Sequence, residues 1–205
     1  MPLSAQHVKQ ARLHLRKCDP ILADIIKTVG PCTLKTQRDK FGMLVRSILS
    51  QQISTAAART IRGRLEDLIK PNKIAPALLA GFEVDDLRAV GISRQKAGYI
   101  LDLAQKVDVG EVNLKQTGRM DNEDVITELT KIKGIGRWTA QMFLMFSLGR
   151  LDVFPVDDLG IQNAIKKAYP KPRGDWNKDK LMKKAEPWQP YATIASWYLW
   201  RSLEL

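Results

Sequence analysis

The sequence predicts an all-α fold, read as one compact body or as two closely packed helical lobes. Three observations carry this reading. Apolar residues recur at i, i+3 and i+4 along most of the 205-residue chain, no stretch alternates in the manner of a strand, and helix start and stop signals divide the chain into short segments. A chain of this length buries a sizeable core without help from cross-links.

Taken in order, Leu22, Ile25, Ile26 and Val29 form one apolar stripe that Gly30 closes, and Phe41, Leu44, Val45, Ile48 and Leu49 form the next. Ser54 reads as the N-cap of a helix carrying Ile61, Leu65, Leu68 and Ile69, and Asp121 as the N-cap of a later one. Gly91, Gly110 and Gly149 read as further terminators. The lysine and proline cluster from Tyr169 to Gly174 reads as an exposed connector, followed by a helix from about Asn177 and a last, aromatic helix from about Gln189. The expected total is about ten helices.

Lys and Arg number 33 against 22 Asp and Glu, a net charge of +11 that draws the chain to a polyanion, with nucleic acid the leading candidate. The two cysteines, Cys18 and Cys32, do not make a four-thiolate metal site. They read as reduced thiols. His7 and His14 lie seven residues apart in a charged segment and receive no functional role. The polar and charged residues of Met1 to Lys17 do not read as a secretion signal, and no apolar run approaches the roughly 20 residues of a membrane span. A cytoplasmic or nucleoid-associated location is expected.

The segment Leu87 to Gly98 echoes Leu129 to Ala140 in its helix, glycine turn and second helix, so both read as helical hairpins. In the second, Gly134 and Gly136 flank Ile135, a turn suited to unusual backbone angles and close backbone approach. Amides at the start of the following helix, around Gly136 to Trp138, lack an intrahelical acceptor and sit at the positive end of the helix dipole. They suit a phosphate. Beyond this hairpin comes Leu151 to Ile161, where Pro155 ends one element and Asp157 or Asp158 starts the next. Two aspartates beside a phosphate-binding turn in a basic chain invite a catalytic reading.

The hairpin, the Pro155-Val-Asp-Asp-Leu-Gly-Ile161 loop and their spacing resemble the helix-hairpin-helix DNA glycosylase superfamily, in its 3-methyladenine DNA glycosylase II type. The likeness runs from about Phe41 to Tyr198 and takes in Ile48 to Ser54 and Trp188 to Ala192. It implies the DNA glycosylase fold: a single domain over 1–205, with a central lobe at about 40–150 and another lobe from the N-terminal and C-terminal helices. It also implies the short form of the family, without its N-terminal β-rich domain.

The resemblance makes Asp158 the catalytic residue, with Asp157 supporting or capping, and expects Trp138, Met142, Trp197 and Tyr198 to line the base pocket, Met142 replacing a tyrosine of some relatives. DNA is expected to meet Gly134, Gly136, Arg137, Trp138 and Thr139, with Gln52 inserted into the stack that a flipped base vacates. The carbonyls of Thr130, Ile132 and Ile135 are expected to hold a monovalent Na+ or K+ ion at the hairpin. Bifunctional relatives carry a lysine where this chain has Trp138, so strand cleavage through a Schiff base is not expected. Cluster-bearing relatives have four C-terminal cysteines that this chain lacks, so no iron-sulfur cluster is expected. The implied activity is monofunctional excision of alkylated purines from damaged double-stranded DNA, by a monomer needing no redox cofactor. Two other readings are a helix-hairpin-helix module that binds duplex DNA without catalysis, and a glycosylase for oxidised or mismatched bases.

Overall fold

The computed structural model describes residues 3–205. Among these the chain forms twelve α-helices and two short 3-10 turns, with no strand. The count exceeds the expected ten because helices as short as α5 (Pro76–Ala80) display no apolar stripe, whereas α6 (Val84–Ala89) is the first helix of the hairpin read from Leu87 to Gly98. No helix among the described residues is long and apolar enough to cross a membrane.

The chain resolves into two compact units, Gln37–Phe143 and Met1–Thr36 with Leu144–Leu205. The first contains α3 (Lys40–Ser50), α4 (Thr55–Leu68), α5, α6, α7 (Arg94–Asp108), α8 (Asn122–Thr130) and most of α9 (Arg137–Phe146). Its core joins Leu44, Val45, Ile48 and Leu65 of the predicted stripes to Ile100, Leu103, Val125 and Leu129, all fully buried, whereas Leu68 of a predicted stripe is 45% exposed. Ser54 and Asp121 accept from the Ala57 and Asp124 amides as N-caps, and Gly91 and Gly110 hold the positive φ that ends a helix.

The second unit contains α1 (Ala5–Cys18), α2 (Pro20–Val29), α10 (Leu159–Ala168), α11 (Lys178–Ala185) and α12 (Ala192–Ser202). Its core joins Leu15, Leu22 and Ile26 from the first helices to Ile161, Ile165, Ile194, Tyr198 and Leu199 from the last. Cys18 and Cys32 are free thiols, both raised in pKa chiefly by burial.

One polar knot ties these segments together. Asp19 is 3% exposed; its Oδ1 caps α2 by accepting from the Leu22 amide at 3.0 Å. Its Oδ2 accepts from the Tyr169 hydroxyl and the Trp188 indole N–H, each at 2.9 Å, and faces the Lys184 ammonium at 3.0 Å. The Lys184 ammonium also sits 4.1 Å from the centre of the Tyr169 ring. Tyr169 therefore departs from the expected exposed connector: it is the buried anchor at the end of α10. The last helix also begins later than expected, at Ala192, because Trp188 is committed to a 3-10 turn (Glu186–Trp188) where its indole reaches Asp19.

Burial works against the charged form of Asp19, but the Leu22 amide, Trp188, Lys184 and Tyr169 outweigh it and hold the carboxyl below its ordinary range. Burial, reinforced by the charge of Asp19, drives the Tyr169 hydroxyl far upward. Replacing Asp19 by Ala strands these donors and is expected to cost about 3–5 kcal/mol in urea unfolding at neutral pH. Because the folded carboxyl is depressed, its charge-dependent contribution is complete above the ordinary value of about 3.9 and is lost as pH falls through the lower folded value. The stability gap between wild type and Asp19→Ala should accordingly narrow on acidification below pH of about 4; a gap independent of pH would contradict this account.

Candidate functional site

In the Gln37–Phe143 unit, α8, a tight turn and α9 form the expected hairpin. The Leu129 carbonyl accepts from the Ile132 amide and the Ile132 carbonyl from the Ile135 amide, each at 3.1 Å. Of the two turn glycines only Gly134 needs the left-handed region, at φ +80°, whereas a Cβ at Gly136 would meet no atom within 4 Å. At Gly134 a Cβ would stand 2.1 Å from the Tyr99 ring, so the turn is packed directly on α7. At the start of α9 the Ala140 amide donates to the Gly136 carbonyl at 3.1 Å.

Two more side chains of α7 hold the same turn. Asp102 accepts from the Lys133 amide at 2.8 Å, and Lys106 donates to the Lys131 carbonyl at 2.5 Å while pairing with Asp102 at 3.3 Å. Their spacing from Tyr99, three and seven residues, places all three on one face of the helix. Charged residues at this spacing resemble an ordinary solvated stripe, which is why reading the sequence missed them. The remaining signal was the glycine hairpin, which needs a surface to lie on.

At the hairpin, Arg137 makes a two-pronged pair with Glu123 of α8, at 2.8 Å and 2.5 Å, and lowers the Glu123 pKa. Trp138 is 42% exposed at the start of α9; Thr139 and Met142 are buried. Gln52 follows α3 and is exposed, with φ +56°, the one non-glycine residue in the left-handed region among those described.

In the other unit, Asp158 is the N-cap of α10, accepting from the Ile161 amide at 2.8 Å. The same Oδ1 accepts from the Trp200 indole N–H at 2.8 Å. Trp200 in turn stacks on Phe146 with ring centres 6.0 Å apart. Gly160 provides the clearance, since a Cβ there would lie 3.0 Å from both Asp158 Oδ1 and the Trp200 ring. Asp157 does not cap: it turns outward to Lys178, whose ammonium contacts both carboxylate oxygens at 2.8 and 2.9 Å.

The loop leading to Asp158 is fixed at its other end by the start of α12. The Thr193 amide donates to the Leu151 carbonyl at 3.0 Å, and the Thr193 hydroxyl donates to the Arg150 carbonyl at 2.7 Å while accepting from the Val153 amide at 3.1 Å. Asp152 accepts a longer bond of 3.4 Å from the Ala192 amide, and burial raises its pKa. Thus α12 spans the loop, with Thr193 at one end and Trp200 at the other.

The expected aromatic pair, Trp197 and Tyr198, lies on the same helix. Tyr198 is wholly buried, donates to the Gly30 carbonyl at 2.9 Å and is pushed up to about 12 by burial. Trp197 packs edge-on against Tyr198 at 4.9 Å and lines a cavity of about 370 Å³ with Thr28, Val29 and Arg201. It is Trp200, three residues on, that meets Asp158.

The three carbonyls expected to hold a cation belong to the hairpin. Ile132 spends one lone pair on the Ile135 amide and keeps a second, and neutral carbonyl oxygens are a donor set that suits Na+ or K+. In chemistry the donor set is one that would suit such an ion.

An all-helical chain with a glycine hairpin and an aspartate-capped helix beyond it defines a helix-hairpin-helix DNA repair protein. The chain belongs to the HhH-GPD superfamily of base excision DNA repair proteins, whose model matches residues 45–190. It is similar to the solved DNA-3-methyladenine glycosidase of Bacillus halodurans, at 36% identity and TM-score 0.82 over 98% of this chain and 91% of that one. It is similar too to the Schizosaccharomyces pombe 3-methyladenine DNA glycosylase solved in complex with abasic DNA, at 32% identity and TM-score 0.82, covering 96% and 97% of the two chains. The Bacillus subtilis protein YfjP, which carries a DNA-3-methyladenine glycosylase name, is 35% identical over 80% of this chain, and the chain spans 59% of its length.

The packing of the hairpin on α7 generates a direct test. Gly134→Ala forces a Cβ into the Tyr99 ring at a positive φ, and is expected to destabilise the protein by about 2 kcal/mol or more in thermal or urea unfolding. Gly136→Ala, with open space and no positive φ, should cost less than about 1 kcal/mol. Equal losses at the two positions would contradict the assignment.

Proposed function

We propose that the chain is a monofunctional DNA glycosylase that removes alkylated purines, of the 3-methyladenine kind, from damaged double-stranded DNA. The observation that carries this is the Asp158 carboxylate, held at the start of α10 by the Ile161 amide and the Trp200 indole. The names of its relatives and the abasic DNA held by the S. pombe enzyme support the substrate class.

Alkylation at a ring nitrogen gives the purine a positive charge, so the glycosidic C–N bond breaks with its electron pair neutralising the base. Positive charge then develops on the sugar. Asp158, fixed in place before the reaction, stabilises that oxocarbenium-like centre and orients a water, whose oxygen bonds to C1′ while its proton passes to the carboxylate or to solvent. The target nucleotide must leave the stack for this to occur, and Gln52 fills the gap. The early amides of α9 grip a phosphate near the lesion without reading sequence. Carbonyls of Thr130, Ile132 and Ile135 would hold a monovalent cation that adds positive charge at that phosphate. Trp138 has no amine to attack the sugar, so hydrolysis ends at the abasic site. No redox cofactor enters these steps.

Two outcomes follow. Because Asn also caps helices, Asp158→Asn should keep the fold and duplex binding while base release from methylated DNA falls by about a hundredfold or more; undiminished release would remove Asp158 from the mechanism. Trp200→Phe keeps the ring but deletes the donor, and should slow single-turnover release by about 10- to 100-fold, the size of a hydrogen bond to a charged group. Trp200→His, which retains an N–H, should recover part of the loss. A phenylalanine variant as fast as wild type would reduce Trp200 to a packing residue.

A further inference from the structure

The face of α7 that holds the hairpin through Tyr99, Asp102 and Lys106 continues one turn earlier to Lys96. Its ammonium donates to the Leu49 carbonyl at 2.8 Å and the Gln51 carbonyl at 2.6 Å, at the C-terminal end of α3. These are carbonyls that a helix end leaves over. The Gln51 side chain in turn donates from Nε2 to the carbonyl of Gly134 in the hairpin turn, at 2.9 Å. Directly after these two anchors the chain enters Gln52 at φ +56°, a region that non-glycine residues seldom adopt. Such a conformation persists only where the surroundings over-determine it. Partial burial lowers the Lys96 pKa.

We infer that Lys96 and Gln51 are positioning residues for base flipping: together with Tyr99 they register the Gln52 turn and the phosphate-gripping hairpin on one face of α7, so that both meet the duplex as a single rigid unit. The inference rests on the reading of Gln52 as the residue that fills the vacated stack. Neither side chain touches the reacting atoms. Their effect appears where a paired base must be extruded, and fades where the lesion is already unstacked.

The test compares single-turnover release of one alkylated purine from a fully paired duplex and from a mismatched bubble, with Lys96→Met, Gln51→Glu and Gln52→Ala each set against wild type. Gln51→Glu preserves shape but removes the donor to Gly134, and carries the test should Lys96→Met fail to fold. The expected result is a fall of about tenfold or more in the ratio of paired to bubble rates for all three variants, in line with the cost of misplacing a reactive geometry by a fraction of an ångström. A Lys96→Met, Gln51→Glu double variant should fall no further than the worse single variant, since the two hold one loop. An unchanged ratio in both Lys96→Met and Gln51→Glu, alongside a reduced ratio in Gln52→Ala, would overturn the inference and leave the wedge reading standing. An unchanged ratio in Gln52→Ala would overturn the wedge reading and the inference with it. A loss equal on both substrates would mark Lys96 as a general stabiliser and overturn its positioning role.

Discussion

Asp19 accepts three side-chain donors and a backbone amide on a carboxylate almost wholly removed from water, and the geometry of the terminal unit follows from which donors these are. Tyr169 is the residue at which α10 ends, and Trp188 closes the 3-10 turn that precedes α12. One carboxylate therefore fixes the end of one helix and the approach to another. Those are the two helices that hold Asp158, one by its N-cap and the other through Trp200. A buried charge of this kind tolerates little rearrangement, because losing any donor exposes its desolvation cost. Placing it far in sequence from the residue it supports keeps that rigidity out of the chemistry itself.

Much of the architecture was legible because it is local. The apolar stripes, the caps at Ser54 and Asp121, the stops at Gly30, Gly91, Gly110 and Gly149, and the Gly134 turn each depend on residues within a few positions of one another, and each stands where the pattern put it apart from Leu68, which is exposed. Illegible were features that depend on what lies across a unit. Tyr169 looked like part of an exposed connector because its neighbours are lysine and proline; its partner is Asp19, 150 residues away. The aromatic helix offered Trp197, Tyr198 and Trp200 with nothing local to separate them, and only its rotational setting in the unit turns Trp200 to Asp158 and Tyr198 into the core. Asp157 and Asp158 were equivalent in composition. Their roles divide because Lys178 claims the first and the Ile161 amide the second.

The α7 stripe shows a related limit. Lys96, Asp102 and Lys106 have the spacing and charge of a solvated helix face, yet each binds backbone outside its own helix. Charged side chains suit this task. A loop that approaches a duplex cannot be built from apolar packing alone, since its carbonyls and amides still need partners. Long side chains bring those partners from a rigid helix while the loop surface stays open.

The chemistry explains why so spare a site suffices. In the proposed mechanism a grip on phosphates through backbone amides supplies affinity without discrimination, and a net charge of +11 strengthens such a grip on any duplex, intact or damaged. Selection must then arise at later steps: the ease with which a weakened pair is extruded, and the readiness of the extruded base to leave. A purine that already bears positive charge departs without a proton donor, so the reaction needs one fixed carboxylate and no partner acid. In the proposed mechanism Asp158 meets that requirement as a helix cap. On that proposal the bond from the Ile161 amide that starts α10 also removes the rotational freedom the carboxylate would otherwise lose on reaching the transition state, and Gly160 leaves the room in which the Trp200 indole completes the restraint.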